Sequence, residues 1–527
     1  MTRFVGDSRC WLLTATLVAS TATLFAQSSG SDEEVSRRQL ESGRSFARQG
    51  NYQEALKDFR AVADTHGTSS VADNALLEIA RYYLDVAGDT RQAQTAVDAI
   101  LKTYPTSDSA PDAYLMAGRL ALAKSHQPAE LEAALANFDR VLRLFPTSEA
   151  VPRSLALSGQ TFWYAGRFND ALASLGRVSL EYSSHSAAAE ASLASGRVMV
   201  SLGDPISAME ELQSVRNHWP NAPEAQTALA RITLLQRLYV RAAKGPAYTL
   251  STESVGPAKL NGVVALTVSP KGYLYWATEQ AVGTNAPASE TAIPSVGKPR
   301  ALAVDTAGMV TVLETSAIRP LAGTVMPLLV GNSKGLQVPL DHIDTGVQLS
   351  NGDWIVMDGG DKYLLRFSRA GAYVGGFATA KISRLAVNVV DEVAGIDRDQ
   401  KAIDFFDATG KLIGRLPFRG VGYDLQNPED LAYDSFGHLY VLDRGTLAVF
   451  SPYAAPGAKP APATTATTPS GSAGGPAGRG AAYRLLTTFS EPDKTPTGFV
   501  RATSLAIDES GAAYLYDERA GRVLVYR

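Results

Sequence analysis

Charged side chains stand at equivalent positions in the second half of the sequence, each shortly after an apolar run. Carboxylates that equivalent loops bring together could hold a Ca²⁺ ion or polarise a substrate. A local explanation competes, because aspartates also cap turns and pair with neighbouring arginines. That explanation is sufficient, so we predict a partner-binding rim without a metal ion, and Ca²⁺ stays the alternative. The predicted rim residues are Asp358, Asp361, Asp397, Arg398, Asp443, Arg444, Asp517, Glu518 and Arg519.

Aromatic side chains form a second group of candidates, in the first half. Tyr82, Tyr83, Trp163 and Tyr164 lie on segments with helical periodicity, where they could anchor a partner peptide. Core packing explains them about equally well, because an amphipathic helix buries one face.

Motifs of catalytic sites are missing from the sequence. No two of the six histidines lie three or four residues apart, so no metal-binding pair on a helix is indicated. We find no phosphate-binding Gly-Lys-Ser/Thr loop and no His-Glu-x-x-His helix. We therefore predict no catalytic residue and a protein that is not an enzyme.

Size and charge limit the class of protein. A chain of 527 residues is expected to form two or more domains. Its hydrophobic content of 45% and charged content of 19% are those of a globular protein. The net charge of −4 and the lack of Lys/Arg-rich runs argue against a nucleic-acid partner.

The N-terminus resembles a secretory signal peptide. An apolar stretch follows two arginines and ends at Ala26, which predicts a signal over 1–26 and a flexible segment over 27–35. The alternative is an uncleaved anchor, but the stretch is shorter than the ~20 residues that span a bilayer. Cys10 is the one cysteine, so cleavage would leave no disulfide or thiolate site. We expect an exported protein of the bacterial periplasm or outer-membrane periphery, without a transmembrane span after cleavage.

A pattern of about 37 residues repeats five times in the first half. A large apolar residue follows each landmark alanine by four positions, and a glycine precedes three of them by twelve. This spacing suits two helices that pack closely across a turn, and such short pairs must stack to bury their apolar faces. The third copy fits only with a turn about four residues longer. The landmark alanines are Ala55, Ala93, Ala134, Ala171 and Ala208.

The helical pattern is similar to the tetratricopeptide (TPR) family over about residues 36–242. The phrases "TYPTSDSAPDA" and "LFPTSEAVPRS" resemble the long TPR variants of bacterial envelope proteins. Those variants include the TPR lipoprotein of the outer-membrane assembly machinery and the TPR protein of the Tol–Pal system. The resemblance implies binding of protein or peptide partners, although the lipid-bearing cysteine of the lipoprotein is absent here.

Hairpin-like units repeat through the second half. "LAYDSFGHLYVLD" has an Asp and a Gly at the two ends of a four-residue turn, which is type I turn chemistry between two strands. Further apolar runs supply a third strand and, in some copies, a fourth. The copy at 385–397 lacks the glycine. The six copies occupy residues 266–278, 302–314, 347–358, 385–397, 431–443 and 505–517.

Four antiparallel strands at intervals of about 40 residues describe the blades of a β-propeller. The units resemble the NHL class, which implies a six-bladed propeller over 246–527. The chain ends after the third strand of the last blade, so we predict that residues 247–254 supply its outer strand and close the ring. The segment 454–481, rich in Pro, Ala, Thr and Gly, predicts a disordered insertion between the third and fourth strands of blade five.

These features predict a multidomain α + β protein, an all-α TPR superhelix followed by an all-β six-bladed propeller. We expect a non-catalytic exported scaffold that binds protein or peptide partners through the TPR concave face and the propeller rim. Two alternatives stay open. One is a calcium-dependent propeller lactonase or hydrolase with a TPR targeting arm, and the other is a binder of peptidoglycan or carbohydrate.

Overall fold

The computed structural model describes residues 32–252, 255–257, 259–287, 297–305, 308–321, 323–331, 337–340, 342–360, 362–453, 483–490, 499 and 501–527. The predicted signal peptide, the predicted insertion and Asp361 lie outside these residues. Among the described helices, none is long and apolar enough to cross a membrane.

Helices make up the first half of the described chain. Short π-helical turns extend two of them, Tyr82–Val86 after the third and Gln236–Arg241 after the last. The helices are α1 (32–48), α2 (Tyr52–Thr65), α3 (Ala72–Arg81), α4 (Thr90–Thr103), α5 (Ala110–Lys124), α6 (Pro128–Leu144), α7 (Ala150–Tyr164), α8 (Phe168–Glu181), α9 (Ala187–Ser201), α10 (Pro205–His218) and α11 (Pro223–Leu235).

The start of α1 corrects one expectation. Residues 32–35 were expected in the flexible N-terminal segment but are helical. Glu33 and Glu34 lie one turn before Arg37 and Arg38, at 3.1 and 2.8 Å, and such pairs favour the first turn of a helix.

Close helix contacts explain the small residues of the repeat. At four glycines a Cβ atom would fall within 3.0 Å of the large residue that follows the landmark alanine. Gly118 precedes Ala134 by sixteen residues instead of twelve, which confirms the longer turn of the third copy. The contacts join Gly43 to Phe59, Gly118 to Phe138, Gly159 to Leu175 and Gly196 to Leu212.

The chain divides into two compact units. The first contains the described residues up to Lys124 together with Glu132–Ser154. The second contains Ser125–Leu131 and Leu155–Arg527. Helices α8 to α11 therefore belong to the same unit as all the strands.

A six-bladed propeller follows the helices, as the sequence predicts. Each blade is an antiparallel sheet, and the first strands of the blades contact one another in a closed ring. A separate hairpin, β8–β9, was not predicted. The strands are β1 (Val263–Val268), β2 (Leu274–Thr278) and β3 (Val282–Thr284) in blade one; β4 (Pro299–Val304), β5 (Val310–Glu314), β6 (Ala317–Pro320) and β7 (Met326–Pro327) in blade two; β8 (Leu329–Gly331) and β9 (Gln337–Pro339) in the hairpin; β10 (Ile343–Gln348), β11 (Trp354–Asp358), β12 (Tyr363–Phe367) and β13 (Tyr373–Ala378) in blade three; β14 (Ile382–Val387), β15 (Val393–Asp397), β16 (Ala402–Phe406) and β17 (Leu412–Pro417) in blade four; β18 (Pro428–Tyr433), β19 (Leu439–Asp443), β20 (Thr446–Ser451) and β21 (Arg484–Ser490) in blade five; β22 (Ala502–Ile507), β23 (Ala513–Asp517) and β24 (Arg522–Tyr526) in blade six.

The turns between first and second strands have the predicted chemistry. In blade five, Asp434 accepts hydrogen bonds from the backbone N–H groups of Phe436 and His438. Gly437 follows with φ +85°. In the copy that lacks the glycine, Asp391 takes the left-handed conformation instead, with φ +62°. Aspartate is one of the few side chains that tolerate this conformation, so the weak copy still forms its turn.

Residues upstream of the first blade close the ring. Thr249 and Arg527 exchange backbone hydrogen bonds of 2.9 Å, and the N–H of Ser251 donates to the carbonyl of Val525 at 2.8 Å. The predicted closure of blade six is therefore confirmed. The pairing satisfies the outer edge of β24, which would otherwise be open to other strands.

The last helix and blades five and six share one apolar core. Leu234, Leu238 and Tyr248 are buried in the same cluster as Phe436 and Tyr440. Because these residues come from both the helical region and the propeller, one continuous apolar core spans the junction between them.

A buried polar chain crosses this core. His438 is fully buried. Its Nδ1 lies 2.7 Å from Oδ2 of Asp434, and its Nε2 lies 2.9 Å from the hydroxyl of Tyr239 in the π-helical turn. The imidazole thus links the hairpin turn of blade five to the end of the helical region.

The closure yields a first prediction. Thr249→Pro removes the N–H that bonds Arg527 and should destabilise the protein by about 1–3 kcal/mol. Urea unfolding followed by fluorescence checks this. Thr249→Ala keeps the backbone bond and serves as the matched control. Equal midpoints for the two variants would contradict the closure.

Candidate functional site

The two faces of the propeller differ in the loops that they carry. We call the face with the turns between first and second strands the turn face, and the opposite one, with the loops after second strands, the loop face. The predicted rim residues follow second strands and therefore belong to the loop face. Residues Glu509 and Ser510 belong to the turn of blade six and face α11 instead.

Carboxylates of the predicted rim cap backbone groups. Asp397, Asp443 and Asp517 are at most 1% exposed. Asp443 accepts from the backbone N–H groups of Gln426 and Asn427, at 2.9 and 2.5 Å. This agrees with the turn-capping alternative, because a carboxylate that is buried among backbone donors is not presented to a partner.

Two further rim carboxylates follow the same pattern. Asp517 accepts from the N–H groups of Arg501 and Ala520, at 2.9 and 2.8 Å. Asp358 of blade three, at 9% exposure, accepts from the backbone N–H of Gly360 at 3.0 Å. These aspartates therefore stabilise loops by accepting hydrogen bonds from backbone N–H groups.

The rim arginines do not pair with the rim aspartates. Arg398 donates instead to Asn427, to the carbonyl of Pro428 at 2.8 Å and to Glu429 at 3.5 Å in the next blade. Arg444 and Arg519 are exposed and form no ion pair with described residues. Likewise, the described part of the chain holds no group of three His, Cys, Asp or Glu side chains that could bind a metal.

Bulges on the inner strands form a site that the sequence analysis missed. The first strand of every blade has a register shift next to its start, opposite the end of the second strand. Bulges commonly re-aim side chains next to functional sites. Since the first strands form a closed ring, the shifted positions lie at one level around the propeller axis. We call these residues the channel-mouth ring: Val264, Arg300, Asp344, Ser383, Arg384, Glu429 and Thr503.

Several buried polar atoms of the channel-mouth ring make no hydrogen bond within the described part of the chain. Nε of Arg300, Nε of Arg384 and Oγ1 of Thr503 are buried without a hydrogen bond to any described residue. Such atoms are rare in folded proteins, and they often mark a place that water or a ligand occupies.

Asp430, beside the channel-mouth ring on β18, is an ionisable group with a shifted pKa. Its carboxylate accepts from the N–H groups of Leu431 and Leu505, at 2.9 and 2.8 Å. Nε of Arg384 lies 3.8 Å from Oδ1. Burial nevertheless raises the pKa of Asp430 to about 6, so the group can exchange a proton near neutral pH.

Tyr82 lines a groove in the first compact unit. The groove holds a cavity of about 180 Å³ whose floor includes Tyr52, Phe59 and Ala55. The rings of Tyr82 and Tyr52 lie 5.3 Å apart. Tyr83 is also partly exposed, and its hydroxyl accepts from Arg60.

Trp163 and Tyr164 pack inside the second unit, as in the core-packing alternative. Trp163 is 3% exposed and donates from Nε1 to Oγ of Ser201 at 2.8 Å. Tyr164 stacks on His126, with ring centroids 3.9 Å apart. The expectation that Trp163 anchors a peptide is therefore corrected, since its ring is not accessible.

His126 connects the α5–α6 loop to the turn face. Its Nδ1 lies 3.2 Å from Oδ2 of Asp391. Ser350 donates its N–H and its hydroxyl to the same carboxylate, at 2.7 and 2.6 Å. Burial acts to raise the pKa of Asp391, but His126 and Ser350 outweigh it and hold that pKa below its usual value.

Comparison with known proteins supports the helical half of the fold. Residues 34–156 match the family model YfiO, described as an outer membrane lipoprotein. The predicted resemblance is thus confirmed as helical repeats of this kind followed by a six-bladed propeller. The match covers less than half of the chain. No curated protein matches it.

Solved structures that resemble the chain are distant. Streptogramin B lyase is 9% identical, with a TM-score of 0.33, over 53% of this chain and 97% of its own. An auxiliary nutrient binding protein from Bacteroides thetaiotaomicron is 12% identical, with a TM-score of 0.36, over 51% and 69%. A gluconolactonase from Xanthomonas campestris, XC5397, is 14% identical, with a TM-score of 0.34, over 51% and 86%. Similarities this distant carry no argument about activity.

The contact of Asp391 leads to a prediction about acid stability. Asp391→Asn keeps the left-handed backbone but removes the charge, and it should cost about 2 kcal/mol at pH 7. Because the folded pKa of Asp391 is depressed, the wild-type advantage is present above about pH 4 and is lost as the pH falls below that value. Urea unfolding at pH 7 and pH 3 measures both. Asp407→Asn, at a turn that bonds only itself, is the control. A cost that stays the same at pH 3 would contradict this account.

Asp430 should have the opposite pH dependence. Its raised pKa means that the folded protein binds the proton more tightly, so its contribution to the free energy of unfolding decreases from about pH 4 to about pH 6. Asp430→Asn does not titrate. The wild-type value minus the variant value should therefore fall with rising pH, by at most roughly 1.4 kcal/mol per unit. Unfolding curves between pH 4 and pH 7 test this, and parallel pH profiles would refute it.

Proposed function

We propose that this protein is a non-catalytic, exported scaffold of the bacterial cell envelope that binds protein or peptide partners. The match of residues 34–156 to an outer membrane lipoprotein family supports the envelope location, and so does the signal-like N-terminal sequence. The groove at Tyr82 is the observation that carries the binding role.

The chemistry of this groove favours an apolar side chain as its occupant. Its floor is aromatic and aliphatic, and Val86 at its edge is 48% exposed. The charges around it are already paired, with Glu78 at 3.0 Å from Arg44 and Asp85 bonded to Arg119. An unpaired charge on a partner would find no complement, whereas a large apolar side chain would bury surface that is now in water.

The second unit adds a rigid surface to the scaffold. The shared core and the chain from Tyr239 through His438 hold α11 against blades five and six. A body fixed in this way can present the loop face to a second partner at little cost in conformational entropy. The exposed side chains of Arg444 and Arg519 would take part in that contact.

A second candidate function is the binding or turnover of a small molecule at the channel-mouth ring. The unpartnered atoms of Arg300, Arg384 and Thr503 favour it, and Asp430 would be the proton donor or acceptor. Arg300 would suit an anionic group of the ligand, whereas Arg384 already lies 3.8 Å from the carboxylate of Asp430. This alternative corresponds to the propeller-enzyme hypothesis. It is compatible with partner binding at the groove, because the two sites are formed by different residues.

The proposed groove can be tested in intact cell envelopes. Val86→Lys places a charge on the groove edge at an exposed position, so the fold should be unaffected. Crosslinking with quantitative mass spectrometry should recover each groove-bound partner at least about tenfold less than with wild type, because the charge cannot be desolvated there.

Leu144→Lys is the matched control. It is the same change at a residue that is 60% exposed and lies in the same compact unit outside the groove. If both variants recover the same partners in the same amounts as wild type, the groove is not the binding surface.

A further inference from the structure

The outer edge of blade three differs from those of its neighbours. Strand β13 ends its sheet, and no described strand pairs with its outer side. Its sequence, YVGGFA, carries no charge, and Tyr373, Val374 and Phe377 are 48%, 54% and 41% exposed. Natural proteins usually protect such an edge with charged residues or proline.

Hydrogen-bond geometry shows which backbone groups of β13 face outward. The N–H of Thr379 donates to the carbonyl of Lys362, so this pair is a bonded one. Bonded and non-bonded pairs alternate in an antiparallel ladder. Ala378 and Gly376, opposite Tyr363 and Leu365, therefore direct their N–H and C=O groups away from β12.

Neighbouring blades carry proline at the position of Ala378. In blade four Pro417 is opposite Ala402, and in blade two Pro327 is opposite Ala317, each in the same register as Ala378 opposite Tyr363. Proline has no N–H and cannot pair with an added strand. Blades two and four are thus closed to strand addition at a position where blade three is open.

Apolar surface continues from this edge onto the next blade. Phe377 lies against Gly410, where a Cβ atom would be 3.0 Å from the ring. Leu412 and Ile413 beside it are 46% and 38% exposed. An added strand would therefore find both main-chain partners and an apolar surface for alternate side chains.

Charges at the two ends of the edge identify the occupant. Arg369 is exposed at the start of β13, Lys362 is exposed at its end, and Lys411 is exposed next to Gly410. None of the three forms an ion pair with a described residue. A second copy of the chain that paired antiparallel would bring Arg369 against Lys362, which is a repulsion. An extended segment with acidic residues at both ends is complementary instead.

We propose that β13 binds an extended, apolar polypeptide segment flanked by acidic residues, which adds to blade three as a fifth, antiparallel strand. This edge is separate from the groove of the first unit, so the inference does not depend on that groove, although Lys362 lies in a loop of the loop face. The main-chain bonds supply affinity, and Lys362, Arg369 and Lys411 select the acidic flanks.

The test uses the full-length protein and a fluorescein-labelled peptide, Glu-Thr-Val-Thr-Val-Thr-Val-Glu, followed by anisotropy. Ala378→Pro copies the residue of blades two and four and should fold normally. It removes one outward N–H and places its ring in the path of the added strand, so binding should weaken at least about tenfold. Ser490→Pro makes the same change at the equivalent position of blade five and should leave binding unchanged.

Two further measurements identify the interaction. The same peptide methylated on alternate backbone nitrogens should lose binding to wild type. The double variant Lys362→Glu with Arg369→Glu should bind the acidic peptide more weakly and a lysine-flanked peptide more tightly.

Four results would overturn the proposal. These are an absence of saturable binding to wild type, equal binding by Ala378→Pro, an equal loss in Ser490→Pro, and a change of oligomeric state with Ala378→Pro in sedimentation. The last would identify a second copy of the chain as the occupant. The Val86→Lys experiment involves a different unit, so failure of either proposal can be recognised separately.

Discussion

The pairing of Thr249 and Ser251 with the last strand constrains much of the second unit. A ring of sheets leaves one open edge unless a distant part of the chain closes it. Here the closing residues Thr249 and Ser251 follow the π-helical turn Gln236–Arg241 by eight and ten positions. Because this connection is so short, α11 must stay next to blade six. For the same reason the helix and the blade share one apolar core. Closure of the propeller and docking of the last helix are consequences of one constraint.

The turns between first and second strands therefore have two roles. In every blade they reverse the chain, and for this an Asp and a left-handed residue suffice. In blades five and six they also meet the helical region, where the carbonyl of Ser510 accepts from Arg237 at 2.6 Å and Glu509 lies 2.6 Å from Arg231. A Cβ at Gly511 would collide with Leu234, so glycine there is required by packing as well as by its φ of +72°. The residues between the Asp and the Gly can vary in sequence. In blades five and six these residues contact the helical region.

Periodicity made most of the fold predictable, since both repeats are local patterns. The glycine and the large apolar residue of each helix pair, and the turn of each blade, can be recognised within about 40 residues. The closing strand was predictable because one blade lacked its outer strand. The hairpin β8–β9 was not predictable, because it belongs to no repeat. The turn at Asp391 was not predictable either, because Asp391 takes the left-handed backbone conformation that glycine takes in the other copies.

Site residues were harder to predict, since their roles depend on partners far along the chain. From the sequence, Asp443 is a candidate rim carboxylate. In the structure its oxygens accept hydrogen bonds from the N–H groups of Gln426 and Asn427. His438 looks like a surface residue until Tyr239, about 200 positions away, covers it. The channel-mouth ring was missed for another reason. A bulge shifts the register by one residue, so strict alternation assigns these side chains to the wrong face.

Arginine chemistry explains how charge is tolerated at the junction of helices and propeller. Arg197 lies over Trp163, Arg231 over Phe436 and Arg237 over Tyr248, with the guanidinium carbon 5.1, 5.9 and 5.2 Å from the ring centroid. Burial, together with the charge of Arg231, lowers the pKa of Arg197 to about 10, which still leaves it charged at neutral pH.

A planar guanidinium is more weakly hydrated than an ammonium and can stack on a ring while its edge donates hydrogen bonds, so it loses less on burial than a lysine would. Even so, the desolvation of such charges offsets much of what they gain from their partners. The apolar cluster around Leu234 and Tyr248 must therefore supply most of the stability of the junction. The arginines, each matched to one ring or one acceptor, select the single orientation in which that cluster can form.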